Sequence, residues 1–111
     1  MTQKEYFTEF EKECKQELQL TISKNTDYAN ENDAFKNFKG IEFLTDGKVT
    51  LEEGIITRLT DKFQRVINLL ERENAVKNES ITDTLRDISV YAKILRIYLL
   101  KVKNAEHTKP R

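Results

Sequence analysis

Apolar residues return every three or four positions through three long runs of this chain, and that period belongs to the α-helix. In the first run Tyr6, Phe7, Phe10, Cys14, Leu18 and Ile22 form one stripe. In the second, Ile55, Leu59, Phe63, Val66 and Leu70 do the same. In the third, Ile81, Leu85, Ile88, Ala92, Leu95, Leu99 and Val102 form a stripe, with Tyr91, Ile94 and Tyr98 in a second row beside it. Thr2 with Glu5 and Thr50 with Glu53 have the spacing of capping boxes, which start a helix by satisfying its free N–H groups. The pattern predicts helices over about 2–24, from just after Thr50 to residue 73 or 74, and from residue 78 or 79 to about 103. Asn25 is the expected stop of the first, because asparagine tolerates the left-handed conformation. A short helix over about 33–44 is weakened by Gly40, and 45–49, "TDGKV", reads as a turn.

The fold class is therefore all-α, a helical bundle of three long helices plus a short one. From Val90 to Leu100 the third helix is apolar almost all round, which predicts burial on most sides. So few helices barely surround it, so the bundle is expected to be completed by oligomerisation with further copies. Residues 1–103 read as a single helical domain, and 104–111 as a disordered tail that carries the sole histidine, His107.

Composition narrows the partners. Nineteen basic and nineteen acidic residues cancel, whereas a duplex nucleic-acid binder usually carries a basic excess. The single cysteine, Cys14, excludes an internal disulfide, leaves no zinc-ligand spacing, and reads as a small core residue of the first stripe. No basic start followed by an apolar run marks a signal peptide. No run approaches the roughly 18 apolar residues of a membrane span. The expected setting is the cytoplasm, with no membrane partner.

Three constellations point to chemistry. Glu79, Asp83 and Asp87 stand four apart on the third helix and form a row that drifts toward Tyr91, Ile94 and Tyr98. Like charges at this spacing repel, and a hard cation such as magnesium between them would relieve that. The other account is a set of N-terminal acids favoured by the helix dipole and paired with lysines. Arg58, Lys62, Arg65 and Arg72 share one side of the second helix. They suit either a salt-bridge ladder with the acids or a phosphate site, since guanidinium donates two parallel hydrogen bonds. Between the first two long helices lies "KNTDYANENDAFKNF" (24–38), with three aromatics and four asparagines. Lys24, Asn25, Asp27, Tyr28, Asp33 and Asn37, with Arg58, are candidate nucleotide contacts: a ring for the base, amides and carboxylates for its edges, cations for phosphate. Phe35 and Phe38 read as core anchors. Such a loop can equally satisfy its own backbone.

Taken together, residues 24–38, "RLTDKFQRVINLL" (58–70) and "NESITDTLRDISVYAKIL" (78–95) resemble the nucleotide-modification-associated domain of phages and bacteria, over roughly residues 20–98. That family is similar in style to the all-α nucleoside triphosphate pyrophosphohydrolases of the MazG type, which hold magnesium with two acidic pairs on successive helices. The resemblance implies nucleotide handling. Glu79, Asp83 and Asp87 would stand for the second acidic element and hold magnesium. Asp83, Lys62 and Arg65 would be catalytic, the two bases neutralising phosphate charge. The place of the first acidic element holds Asp61, Lys62 and Arg65, which departs from the family pattern. Three readings follow: a magnesium-dependent nucleotide hydrolase, a nucleotide sponge or sensor without turnover, and a helical interaction protein without a small ligand.

Overall fold

A computed structural model describes residues 1–28, 32–72 and 76–105, with backbone alone at 27–28 and 76–79. The chain is all-α. Its helices are α1 (Gln3–Tyr28), α2 (Lys36–Leu44), α3 (Leu51–Leu70) and α4 (Val76–Ile97), and α4 runs on into a π-helical segment, Tyr98–Lys103. No helix among the described residues is long and apolar enough to cross a membrane. The chain divides into two compact units, 1–37 and 38–111. The sequence expectation for 106–111, His107 included, lies outside the described residues.

The first unit is built on α1. Its start follows the predicted capping box: Glu5 N–H donates to Thr2 Oγ1 at 3.1 Å, and Thr2 N–H donates to Glu5 Oε2 at 2.8 Å. Its end does not follow the prediction. The helix passes Asn25 and continues to Tyr28. Asn25 has another use: its Nδ2 donates to the carbonyl of Ala34 at 2.9 Å and ties the helix to the segment before α2. Every residue from Met1 to Gln16 is exposed, Cys14 among them. The stripe expected to be core is open as well, with Tyr6, Phe7, Phe10, Leu18 and Ile22 each 52–58% exposed. The helical period sets which side is apolar, and burial needs a neighbour to reach that side.

The second unit is an α3–α4 pair with α2 at one end. Thr50 and Glu53 form the predicted capping box of α3. Glu42 of α2 adds an acceptor for the Leu51 N–H at 2.6 Å. The α2–α3 turn is the one expected, with Asp46 and Gly47 both at positive φ. At Gly54 α2 packs close against α3, because a Cβ there would lie 3.1 Å from Ile41 Cγ2.

The buried apolar residues among those described are Leu51, Ile55, Ile81 and Tyr98. The predicted stripe of α3 is half corrected. Ile55 is buried, but Phe63 and Leu70 are exposed. α3 meets α4 through the side holding Leu51 and Ile55, about a quarter turn from Phe63 at ~100° per residue. On α4 the packed seam runs between the two predicted rows. Ile81, Thr84, Ile88, Tyr91, Leu95 and Tyr98 recur at alternating steps of three and four, and each is buried or half-buried. Leu85 and Leu99, expected in the core, are exposed at the seam's edge, and Ile97 and Leu100 are exposed too. The all-round apolar stretch is thus covered on one side only.

Candidate functional site

Three contacts fix how α3 and α4 lie together. Glu52 meets Lys103, Arg58 meets Tyr91, and Lys62 meets Asp87. The partner's number falls as the α3 number rises, so the two elements run antiparallel. In that register Arg58 and Lys62, one turn apart, face Tyr91 and Asp87, one turn apart.

The centre of the unit's polar side is Arg58. Its guanidinium carbon lies 5.4 Å from the ring centre of Phe38 and 5.9 Å from that of Tyr91. The two rings meet edge to face, 6.4 Å apart at 86°. Three helices each give one member: Phe38 from α2, Arg58 from α3, Tyr91 from α4. A cation over an aromatic face is held by the ring quadrupole, worth about 0.5–1 kcal/mol at an exposed site. The contact orients a planar cation that is otherwise free to rotate. Arg58 is exposed and the two rings are half-buried.

One turn along, Lys62 Nζ donates to Asp87 Oδ2 at 3.1 Å, with both side chains about one-third exposed. The carboxylate row therefore does lead inward, from exposed Asp83 to half-buried Asp87. At its inner end an ammonium sits where the metal reading puts a divalent cation. The Glu79 side chain lies outside the described residues. Among the described residues no group of three or more His, Cys, Asp or Glu side chains could hold a metal ion. What stands together is a pair of carboxylates on one row, one of them engaged by Lys62.

At the far end, Lys103 Nζ donates to Glu52 Oε2 at 2.5 Å. That hydrogen bond holds the Glu52 carboxyl below the usual carboxylate range and lifts the Lys103 ammonium above the usual lysine range. The pair closes the first turn of α3 onto the π-helical segment.

The remaining predicted contacts fall in the first unit. Lys24 and Asn37 are exposed. Asn25 is engaged by the Ala34 carbonyl. Asp33 Oδ1 accepts from the Phe35 N–H at 3.0 Å and its carbonyl accepts from the Lys36 N–H, a turn that leads into α2. Asn25 and Asp33 thus satisfy local backbone, the alternative open for this loop. The side chains of Asp27 and Tyr28 lie outside the described residues. Arg65 is exposed on α3.

The structure brings together Arg58, Lys62 and Asp87, which the sequence singled out, with Phe38 and Tyr91, which it assigned to core rows. The signal for those rings was present. Once Lys62 is paired with Asp87 in an antiparallel register, Arg58 must face Tyr91 one turn away. Compared with protein-family models, curated proteins and solved structures, the chain matches none.

Proposed function

We propose that this chain handles a nucleotide, and that it binds the phosphates at the Arg58 cluster. The observation that carries the reading is the guanidinium held over Phe38 and Tyr91 with Lys62 one turn away. Arg58 is exposed beside the two rings, and the N–H edge of a guanidinium matches two phosphate oxygens. Lys62 supplies a second positive charge within reach of the same anion if its bond to Asp87 opens. The rings offer apolar surface beside the cation, as a base requires. The resemblance to the nucleotide-modification-associated domain supports the same class of ligand.

Turnover is the finer part of the proposal. If magnesium acts here, Asp83, Asp87 and Glu79 would hold it, and the ion would have to displace the Lys62 ammonium from Asp87. The engaged carboxylate favours binding without hydrolysis.

The test is a melting-temperature screen of the full chain against ribonucleotides, deoxynucleotides and cyclic dinucleotides, with and without magnesium, followed by chromatography of the nucleotides. A ligand that binds only the folded state must raise the melting temperature. We expect a rise with the nucleotide recovered intact, and loss of most of that rise in Arg58→Ala. New monophosphate and pyrophosphate peaks that need magnesium would establish the hydrolase instead. No rise with any nucleotide would sink the nucleotide reading.

A further inference from the structure

One side of α3, about a quarter turn from the side that meets α4, carries an open apolar surface. Ile56, Phe63, Ile67 and Leu70 are each 50–61% exposed. At ~100° per residue they fall within about 60° of one another around the helix axis. Their spacing, seven, four and three, is that of one continuous seam. Thr57, Thr60 and Gln64 flank the seam. Between Gly54 and Leu70 the charged residues are Arg58, Asp61, Lys62 and Arg65, and all four lie on the opposite side, centred about 160° away. The seam and this flank therefore form an uncharged strip over residues 55–70 of α3, with the first-turn acids Glu52 and Glu53 beyond its end.

We infer that this strip is a self-association face, and that its occupant is the same strip of a second copy across a two-fold axis. Two arguments select that occupant. A two-fold contact sets position i against position j and j against i, so with Phe63 on the axis of an antiparallel pair Ile56 of one copy meets Leu70 of the other, apolar against apolar. Between residues 55 and 70 no charge interrupts this face, because Arg58, Asp61, Lys62 and Arg65 lie on the other side of the helix. The area is also sufficient. The four half-exposed apolar side chains bring together about 800 Å² in a pair of copies, and the flanking residues raise this to about 1,200 Å², the lower bound of a stable interface. The need is visible too. Four apolar side chains are buried among the described residues, while seventeen large ones are exposed. A core that small calls for a supplement of this kind. The inference is independent of any nucleotide.

Phe63 stands near the middle of the strip and so close to the axis, where it faces itself. Sedimentation of the full chain should give a particle of at least twice 13.1 kDa. Phe63→Glu and Phe63→Lys should each weaken self-association by about thirtyfold or more, with helicity retained by circular dichroism. Mixed in equal amounts, they should recover the dimer, because Glu then faces Lys. A wild-type chain that sediments as a monomer overturns the proposal. So do single variants that keep the wild-type size. If either variant loses helicity alone, the mixture decides: recovery of a helical dimer supports the face, and a mixture that stays monomeric overturns it.

Discussion

α1 and α3 carry the same kind of message in sequence and meet different fates. Both open on a Thr–Glu capping box with the two reciprocal hydrogen bonds in place. Both carry apolar residues at helical spacing. Yet the stripe of α1 from Tyr6 to Ile22 is open, while α3 buries Leu51 and Ile55 completely or nearly so. Local hydrogen bonding starts a helix without regard to its surroundings. Burial depends on whether another element arrives on the apolar side, and for α3 that element is α4, locked in register by Arg58–Tyr91 and Lys62–Asp87.

The largest expected contrast lies in the stripes themselves. Ile55→Ala should lower the unfolding free energy by about 2–5 kcal/mol, because it removes transfer energy and leaves a cavity. Phe10→Ala should change it by less than about 1 kcal/mol, the ordinary range for an exposed position. Urea unfolding followed by circular dichroism measures both. Equal losses would mean that α1's stripe is covered in solution, and the contrast would fall.

The caps offer a smaller version of the same comparison. Thr50→Ala should cost about 1 kcal/mol, since it frees an N–H at the start of a helix that the rest of the unit packs against. Thr2→Ala should cost a small part of that, because fraying of the exposed end of α1 disturbs little else. Hydrogen exchange at the first turn of each helix separates the two. Faster exchange confined to the first turn is expected for Thr2→Ala, and a loss of protection through α3 for Thr50→Ala.

The smallest effect is electrostatic. Glu52 is held below its ordinary range by the Lys103 hydrogen bond. Its contribution is therefore full above the ordinary carboxylate range and is lost as pH falls through the lowered value in the folded protein. Lys103 is raised. Its contribution is full below the ordinary lysine range and is lost as pH rises through the raised folded value. Solvent screens a pair this exposed, so the melting temperature of Glu52→Gln should differ from wild type by about 1–3 °C near neutrality. The difference should vanish at both extremes. A difference that persists in acid would assign the effect to packing.

The candidate site was legible in part. Arg58, Lys62 and Asp87 stand out as opposed charges on adjacent helices, and the salt-bridge alternative for them is what the Lys62–Asp87 bond realises. Phe38 and Tyr91 look like core residues because a half-buried ring and a buried ring have the same spacing. Asn25 looks like a helix stop because its side chain's acceptor, the Ala34 carbonyl, is nine residues away and invisible to local propensity.

By itself the sequence determined the all-α class, both capping boxes, the turn at Asp46 and Gly47, and the approximate course of each long helix. These depend on interactions within a few residues, where side-chain chemistry and the helical period suffice. Only the tertiary structure decided that α4 packs through the seam from Ile81 to Tyr98, that α3 turns Leu51 and Ile55 inward and Phe63 outward, and that Arg58 rests on two rings. Each of those depends on the rotation and register of one helix against another. An apolar stripe wider than one seam leaves that rotation open, and contacts twenty or more residues apart along the chain close it.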